Sequence, residues 1–316
     1  VRISGPEALG IAERIFVSSR GKAGGFKSHT VYYGYIKDPA SGERLDEVLL
    51  TIMKAPRSFT KEDVVEINCH GGFTPLRRVI ELALREGARL AAPGEFTKRA
   101  FLNGRIDLSQ AEAVLDLVRA KTEKAEKIAI EQLRGALSAK VNALRERLVG
   151  ICANIEAHID FPEEEIEPAS LEEIKTGIGN AIDEMSALIE GYEEGKFFRE
   201  GLKVVIAGRP NVGKSSLLNA LLKRDRAIVT EMPGTTRDVI EEYLNIDGLP
   251  LRVMDTAGIR QSHDMAEREG VRRTLLAIEE ADLVIGVLDG SGPLTPADTE
   301  LMEKTKGRKA VFIINK

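Results

Sequence analysis

The sequence predicts a multidomain chain: a small α+β domain, then an α-helical domain, then an α/β domain with a mostly parallel sheet. Three observations predict it. Strand-like runs crowd the first part of the chain, helical spacing takes over from Phe96, and strands alternate with helices from about Gly201. The expected divisions are 1–95, 96–200 and 201–316. A length of 316 residues exceeds one ordinary core and agrees with several.

In the first part, a short helix is expected from Pro6 to Val17. Strands are expected at Thr30–Ile36, Val48–Met53 and Val64–Cys69. A helical pattern from Phe73 to Glu86 stops beside Gly87, the residue type that ends helices with a positive φ. In the second part, Ser109 with Glu112 and Ser170 with Glu173 have the spacing of capping boxes. Val141, Leu144, Leu148, Ile151, Cys152, Ile155 and Ile159 recur at three- and four-residue steps, the pattern of a bundle seam. The acidic run at 160–165 around Phe161-Pro162 lacks a ligand pattern and reads as a solvated connection. In the third part, Asp247-Gly248 between two apolar runs is a hairpin signal, so one antiparallel edge pair is expected beside parallel strands.

Composition narrows the function classes. A formal charge of −5 argues against a generally basic, nonspecific nucleic-acid binder, leaving room for a local basic face. No apolar run reaches membrane-spanning length and no signal peptide is visible, so a cytoplasmic protein is expected. The 2 cysteines, Cys69 and Cys152, have no metal or redox spacing and are expected to be small buried residues. The chain starts at Val1 and stops just after an apolar run, the pattern of a piece of a longer protein.

Chemistry concentrates in the third part. Gly208-Arg209-Pro210-Asn211-Val212-Gly213-Lys214-Ser215 has the form G-x-x-x-x-G-K-S, between a strand-like run and a helical one. Such a loop wraps backbone N–H groups round a phosphate at a helix N-terminus. Lys214 adds charge for the β- and γ-phosphates, and Ser215 offers a hydroxyl to Mg²⁺. Gly234-Thr235-Thr236-Arg237-Asp238 sits where a threonine closes over Mg²⁺ and the γ-phosphate, and Asp255-Thr256-Ala257-Gly258 has the D-x-x-G form. Asn315-Lys316 is the first half of N-K-x-D, whose guanine-reading Asp would fall just beyond the last residue; in register with D-x-x-G, it leads to the expectation of GTP over ATP. The nucleotide-binding set is therefore Asn211, Val212, Gly213, Lys214, Ser215, Ser216, Thr230, Thr235, Thr236, Asp255, Gly258, Asn315 and Lys316.

Two features depart from the commonest GTPase pattern. Gln261 is displaced from the place of the water-orienting glutamine; it is a possible substitute, and a carboxylate is the other candidate for that role. Glu267 is the chosen candidate, with Asp264 and Glu269 as competitors. No arginine finger is evident from spacing. Asn211 with carbonyls of the 230–235 loop could cage a monovalent cation, or Asn211 could merely brace its own loop.

These residues resemble the MnmE (TrmE) family of bacterial tRNA-modification GTPases. The likeness is carried by Pro93 through Arg105, Asp107 through Ala113, Asp160-Phe161-Pro162, Gly208 through Leu221, and Ala227-Ile228-Val229-Thr230 running into Gly234 through Asp238. It implies an N-terminal domain that binds a tetrahydrofolate derivative (5-formyl or methylene) and makes a homodimer. A helical domain with an inserted, Ras-like P-loop domain follows. It also implies K⁺-dependent GTP hydrolysis serving, with the MnmG flavoprotein, modification at C5 of the wobble uridine (position 34) of certain tRNAs. Carried over residue by residue, Asn211, Thr230, Met232 and Thr235 would hold K⁺, Ser215 and Thr236 Mg²⁺, and Glu267 the water. Arg2, Glu66 and Arg105 match the folate contacts, suiting a glutamate tail and a pterin edge. Two rivals remain: a ribosome-assembly GTPase, which leaves Pro93–Arg105 unexplained, and a folate-dependent one-carbon transferase with an appended GTPase.

Overall fold

Alternation along the strands decides the first sheet. Val48, Leu50 and Ile52 are buried while Glu47 and Leu49 are exposed, so one face of the sheet is covered and the other open. In this computed structural model, residues 1–19, 25–160, 170–225, 242–254 and 276–316 are described. They form two compact units, Val1–Val114 and Leu115–Lys316.

In the first unit, β1 (Arg2–Ser4), β2 (Phe16–Ser18), β3 (Thr30–Lys37), β4 (Arg44–Met53) and β5 (Val64–Asn68) form an antiparallel sheet in the order β1-β5-β4-β3-β2. Helices α1 (Ala8–Ile15) and α2 (Phe73–Arg85) cover its apolar face, with Ile11, Ile15, Val79 and Leu82 against Ile36, Leu50 and Ile67. Helix α1 is shorter than the sequence predicts because Phe16 turns extended and pairs with Ile36. Gly34 permits that pairing, since a Cβ there would lie 2.2 Å from the Val17 carbonyl oxygen. Gly87, with φ 105°, follows the α2 C-cap as expected.

Helix α3 (Glu95–Leu102) is followed by α4 (Leu108–Arg119). The cap of α4 differs from the expected pair Ser109 and Glu112. Asp107 accepts from the Gln110 N–H and the Ser109 hydroxyl, and Gln110 Oε1 accepts from the Asp107 N–H. The carboxylate one residue before the helix takes the role, leaving Ser109 inside the first turn.

The second unit begins within α4 and continues with α5 (Glu123–Leu133), α6 (Ala136–Asp160) and α7 (Leu171–Glu200), the last opened by the expected Ser170/Glu173 capping box. Along the α6 stripe Leu144 is buried and Leu148 and Ile151 half-buried, but Val141, Cys152, Ile155 and Ile159 are exposed. Helix α7 covers one side of α6, where Ile151 packs at Gly177 and Arg147 pairs with Glu184. Cys152 is thus no buried residue, while burial pushes the half-buried Cys69 thiol up from its ordinary pKa. Residues 161–169 of the acidic connection lie outside the described residues.

Next come β6 (Leu202–Ala207), α8 (Lys214–Asp225), β7 (Glu242–Ile246), β8 (Leu249–Met254), β9 (Leu283–Asp289), α9 (Pro296–Lys304) and β10 (Ala310–Asn315). The sheet order is β10-β9-β6-β8-β7, parallel except for the β7–β8 edge hairpin, which turns at Asp247-Gly248 as expected. Leu217 and Leu221 of α8 pack on one face with Leu244, Val253 and Val287. Leu301 of α9 packs on the other, with Val205 and Val284. Among the described residues no helix is long and apolar enough to cross a membrane.

Candidate functional site

The phosphate loop grows out of the most buried strand. Val204, Val205 and Ala207 of β6 are 1% exposed or less, and the loop leaves the sheet at Gly208. At φ 156° a Cβ on Gly208 would lie 2.4 Å from the Val287 carbonyl oxygen on β9, so only glycine lets the loop start this close to the sheet. Asn211 adopts φ 65°, a left-handed conformation that asparagine tolerates better than most residues. Val212 anchors the loop in the core, and Gly213, at φ 103°, leads into α8.

Lys214 Nζ donates to the carbonyl oxygens of Gly208 (2.8 Å) and Arg209 (2.7 Å), so its ammonium lies back across the loop. Burial pushes its pKa down, the usual consequence of desolvating a cation. Ser215 and Ser216 lie exposed in the first turn of α8, where free N–H groups and the helix dipole favour an anion. The arrangement can therefore grip a polyphosphate with backbone amides, one ammonium and a metal-binding hydroxyl.

The Asn315-Lys316 pair at the end of β10 is joined to the same loop. Asn315 Nδ2 donates to the Val212 carbonyl oxygen at 2.8 Å, across 103 positions of sequence. Lys316 Nζ lies 3.2 Å from Asp289 Oδ2. The Ser291 hydroxyl and N–H, then Lys316, hold the Asp289 carboxyl down to about 2. Arg209 Nε lies 3.2 Å from Oδ1 of Asp298, a carboxylate only 2% exposed that also caps α9. Sequence reading did not find Asp289 or Asp298, which carry no motif. Thr230, Met232, Thr235, Thr236, Asp255, Gly258 and Glu267 lie outside the described residues.

The first unit brings Arg2 and Arg105 to one ring, with Glu66 paired to Arg2. Register places Arg2 opposite Glu66 on the open face of the sheet, and their charges pair at 2.7 Å. The Arg2 guanidinium lies 6.0 Å from the Phe59 ring centre and 5.5 Å from that of Phe96, and Arg105 lies 4.8 Å from Phe59. The turn that carries Arg105 is tied back to the Phe59 loop, since Lys61 Nζ donates to the Gly104 carbonyl and Asn103 Nδ2 to that of Thr60. Arg89, the Ala92 N–H and Arg99 hold Glu95 far below the usual carboxylate range. A cleft of ≈ 370 Å³, lined in part by Arg2, Glu95, Phe96 and Arg99, lies beside this cluster. Sequence reading missed Phe59 and Phe96, which no local spacing marks.

A model of the GTP-binding protein TrmE N-terminus matches residues 1–105, and one of the MnmE helical domain matches residues 108–311. The curated tRNA modification GTPase MnmE of Bacillus velezensis is 53% identical over 321 residues, covering 100% of this chain and 69% of that protein. The chain belongs to the MnmE family. The MnmE proteins of Geobacter sulfurreducens (53% identical) and Thermoanaerobacter pseudethanolicus (50%) match with the same coverage of both chains. The solved G domain of T. maritima FeoB is 32% identical over 35% of this chain and 69% of that one, with a TM-score of 0.25, too low to add to the fold assignment.

Proposed function

We propose that this MnmE-family chain is the GTPase component of a tRNA-modifying enzyme, hydrolysing GTP in a K⁺-dependent reaction. With a flavoprotein partner of the MnmG type, it serves the C5 aminomethyl or carboxymethylaminomethyl modification of the wobble uridine in the cytoplasm. The observation that carries the GTPase reading is the Asn315–Val212 hydrogen bond, which joins the first residue of the guanine motif to a phosphate loop already closed on Lys214. The proposed domains remain 1–95, 96–200 and 201–316, the first binding a tetrahydrofolate derivative and forming a homodimer.

Within the phosphate loop, backbone amides and Lys214 bind the phosphates, and Ser215 with Thr236 would hold Mg²⁺. Asn211, with carbonyls of Thr230, Met232 and Thr235, would hold K⁺. Asn211 fits that role because it is exposed in a left-handed loop conformation that leaves its amide out of the core. Bound K⁺ supplies positive charge near the β–γ bridge, where charge develops on transfer. Glu267 orients the attacking water and accepts its proton. In the first unit, the Arg2–Glu66 pair and Arg105 over Phe59 support a ligand with a planar ring and a carboxylate tail.

The test is GTP turnover by the full-length protein in K⁺ against Na⁺. Turnover should collapse in Na⁺; equal rates in both salts remove the cation cage, and no turnover in either removes the GTPase reading.

A further inference from the structure

Strand β7 begins directly after residues 226–241, which include Gly234-Thr235-Thr236, and β8 ends at Met254, the residue before Asp255. Both nucleotide motifs outside the phosphate loop and the guanine motif are therefore attached to one two-stranded ribbon. Its far end is the turn Asp247-Gly248, with φ of 50° and 88°.

We propose that Thr122 is a positioning residue for GTP hydrolysis. It clamps the tip of the β7–β8 ribbon to helix α5 and so sets the strand ends that lead into the threonine loop and Asp255. Thr122 is 6% exposed and stands at the N-cap of α5. Its Oγ1 accepts the Ala125 N–H at 3.2 Å and donates to the Gly248 carbonyl oxygen at 2.7 Å. One hydroxyl thus caps the helix and holds the ribbon at once, using both its donor and its acceptor capacity.

The contact is close as well as polar. A Cβ on Gly248 would lie 3.1 Å from Lys124 Cβ and 3.2 Å from its Cδ, so the tip packs directly on the stem of a side chain of α5. The α4–α5 connection and the α7–β6 joint hold the flank too. Lys121 Nζ lies 5.5 Å from the ring centre of Tyr243 on β7. At the joint between α7 and β6, a Cβ on Gly201 would lie 3.3 Å from the Pro250 carbonyl oxygen. Strand β8 then runs parallel to β6, with Met254 beside Val205, and β6 is the strand that launches the phosphate loop. A ribbon gripped at its tip by helices therefore reports their position to its other end. Strain that the nucleotide places on the ribbon reaches the helices by the same route, since coupling is reciprocal.

This inference rests on the GTPase reading. The experiment compares GTP turnover of full-length protein carrying Thr122→Val, Thr122→Asp or Thr122→Ser. Valine keeps the shape and removes both hydrogen bonds; aspartate keeps the helix cap and loses the donor; serine keeps both. The Val and Asp variants should lose kcat on the order of 10-fold, with KM for GTP within about twofold, a size typical of residues that carry coupling. The Ser variant should turn over like the unmutated protein. Unmutated kcat in the Asp variant overturns the clamp, and that variant decides the matter if Val fails to fold. A raised KM without a fall in kcat overturns it as well, as does a Ser variant as slow as Val. If the unmutated protein fails to hydrolyse GTP, the GTPase reading goes and the clamp goes with it.

Discussion

Gly213→Ala should cripple nucleotide binding through a contact 102 positions away. A Cβ on Gly213 would lie 2.1 Å from Asn315 Nδ2 and 3.4 Å from its Cγ. Asn315 cannot give way freely, because Nδ2 is bonded to the Val212 carbonyl oxygen at 2.8 Å. Two costs add. Placing an L-residue at φ 103° costs roughly 1–2 kcal/mol. Displacing Asn315 loses a hydrogen bond of about 1 kcal/mol. The sum, on the order of 2–3 kcal/mol, falls on the loop conformation that grips the phosphates and corresponds to roughly 30- to 150-fold in GTP affinity. Equilibrium titration with a fluorescent GTP analogue measures it. Repeating the substitution in an Asn315→Ala background isolates the clash, because removing the amide should recover part of the loss. An affinity within about threefold of the unmutated protein, or an equal loss in both backgrounds, refutes the reasoning.

Glu267→Ala should lower turnover by about 10²- to 10⁴-fold while GTP affinity holds, read from single-turnover kinetics beside a binding titration. Arg2→Ala should weaken binding of a tetrahydrofolate by roughly 10-fold or more, the size of a charged hydrogen bond. Its unfolding midpoint should barely move, because an ion pair with the arginine 45% exposed contributes about 0–1 kcal/mol; calorimetry with and without ligand separates the two effects. Asp289 has a folded-state pKa lowered from 3.8 to about 2, so the stability it contributes is present above pH 3.8 and lost as pH falls through 2. Asp289→Asn should flatten acid unfolding in that window, and superimposable acid titrations of the two proteins would count against the Ser291 and Lys316 contacts.

Features legible in the sequence are those whose cause lies within a few residues. The G-x-x-x-x-G-K-S loop, the Asp247-Gly248 hairpin, the Gly87 stop and the Ser170/Glu173 box each require particular backbone angles or hydrogen bonds over a single turn. The α4 cap shows where even local reading slips. Asp107 and Ser109 are both good caps, and the start of the helix decided between them. The α6 stripe shows the limit of periodicity. Spacing puts Val141, Leu144, Ile155 and Ile159 on related faces, but only the packing of neighbouring helices determines that Leu144 is covered and Ile159 is not.

By itself the sequence determined the phosphate-loop motif, the alternation of strands and helices that presents it, and the residue types proposed to touch phosphate. Tertiary structure alone decided that Asn315 closes on Val212, that Asp298 takes the charge of Arg209, that Phe59 lies under both Arg2 and Arg105, and that Thr122 reaches Gly248. The physical reason is range. Backbone preferences act over a turn, whereas these contacts join residues tens to more than a hundred positions apart, and they form only once buried faces have fixed which strands lie side by side.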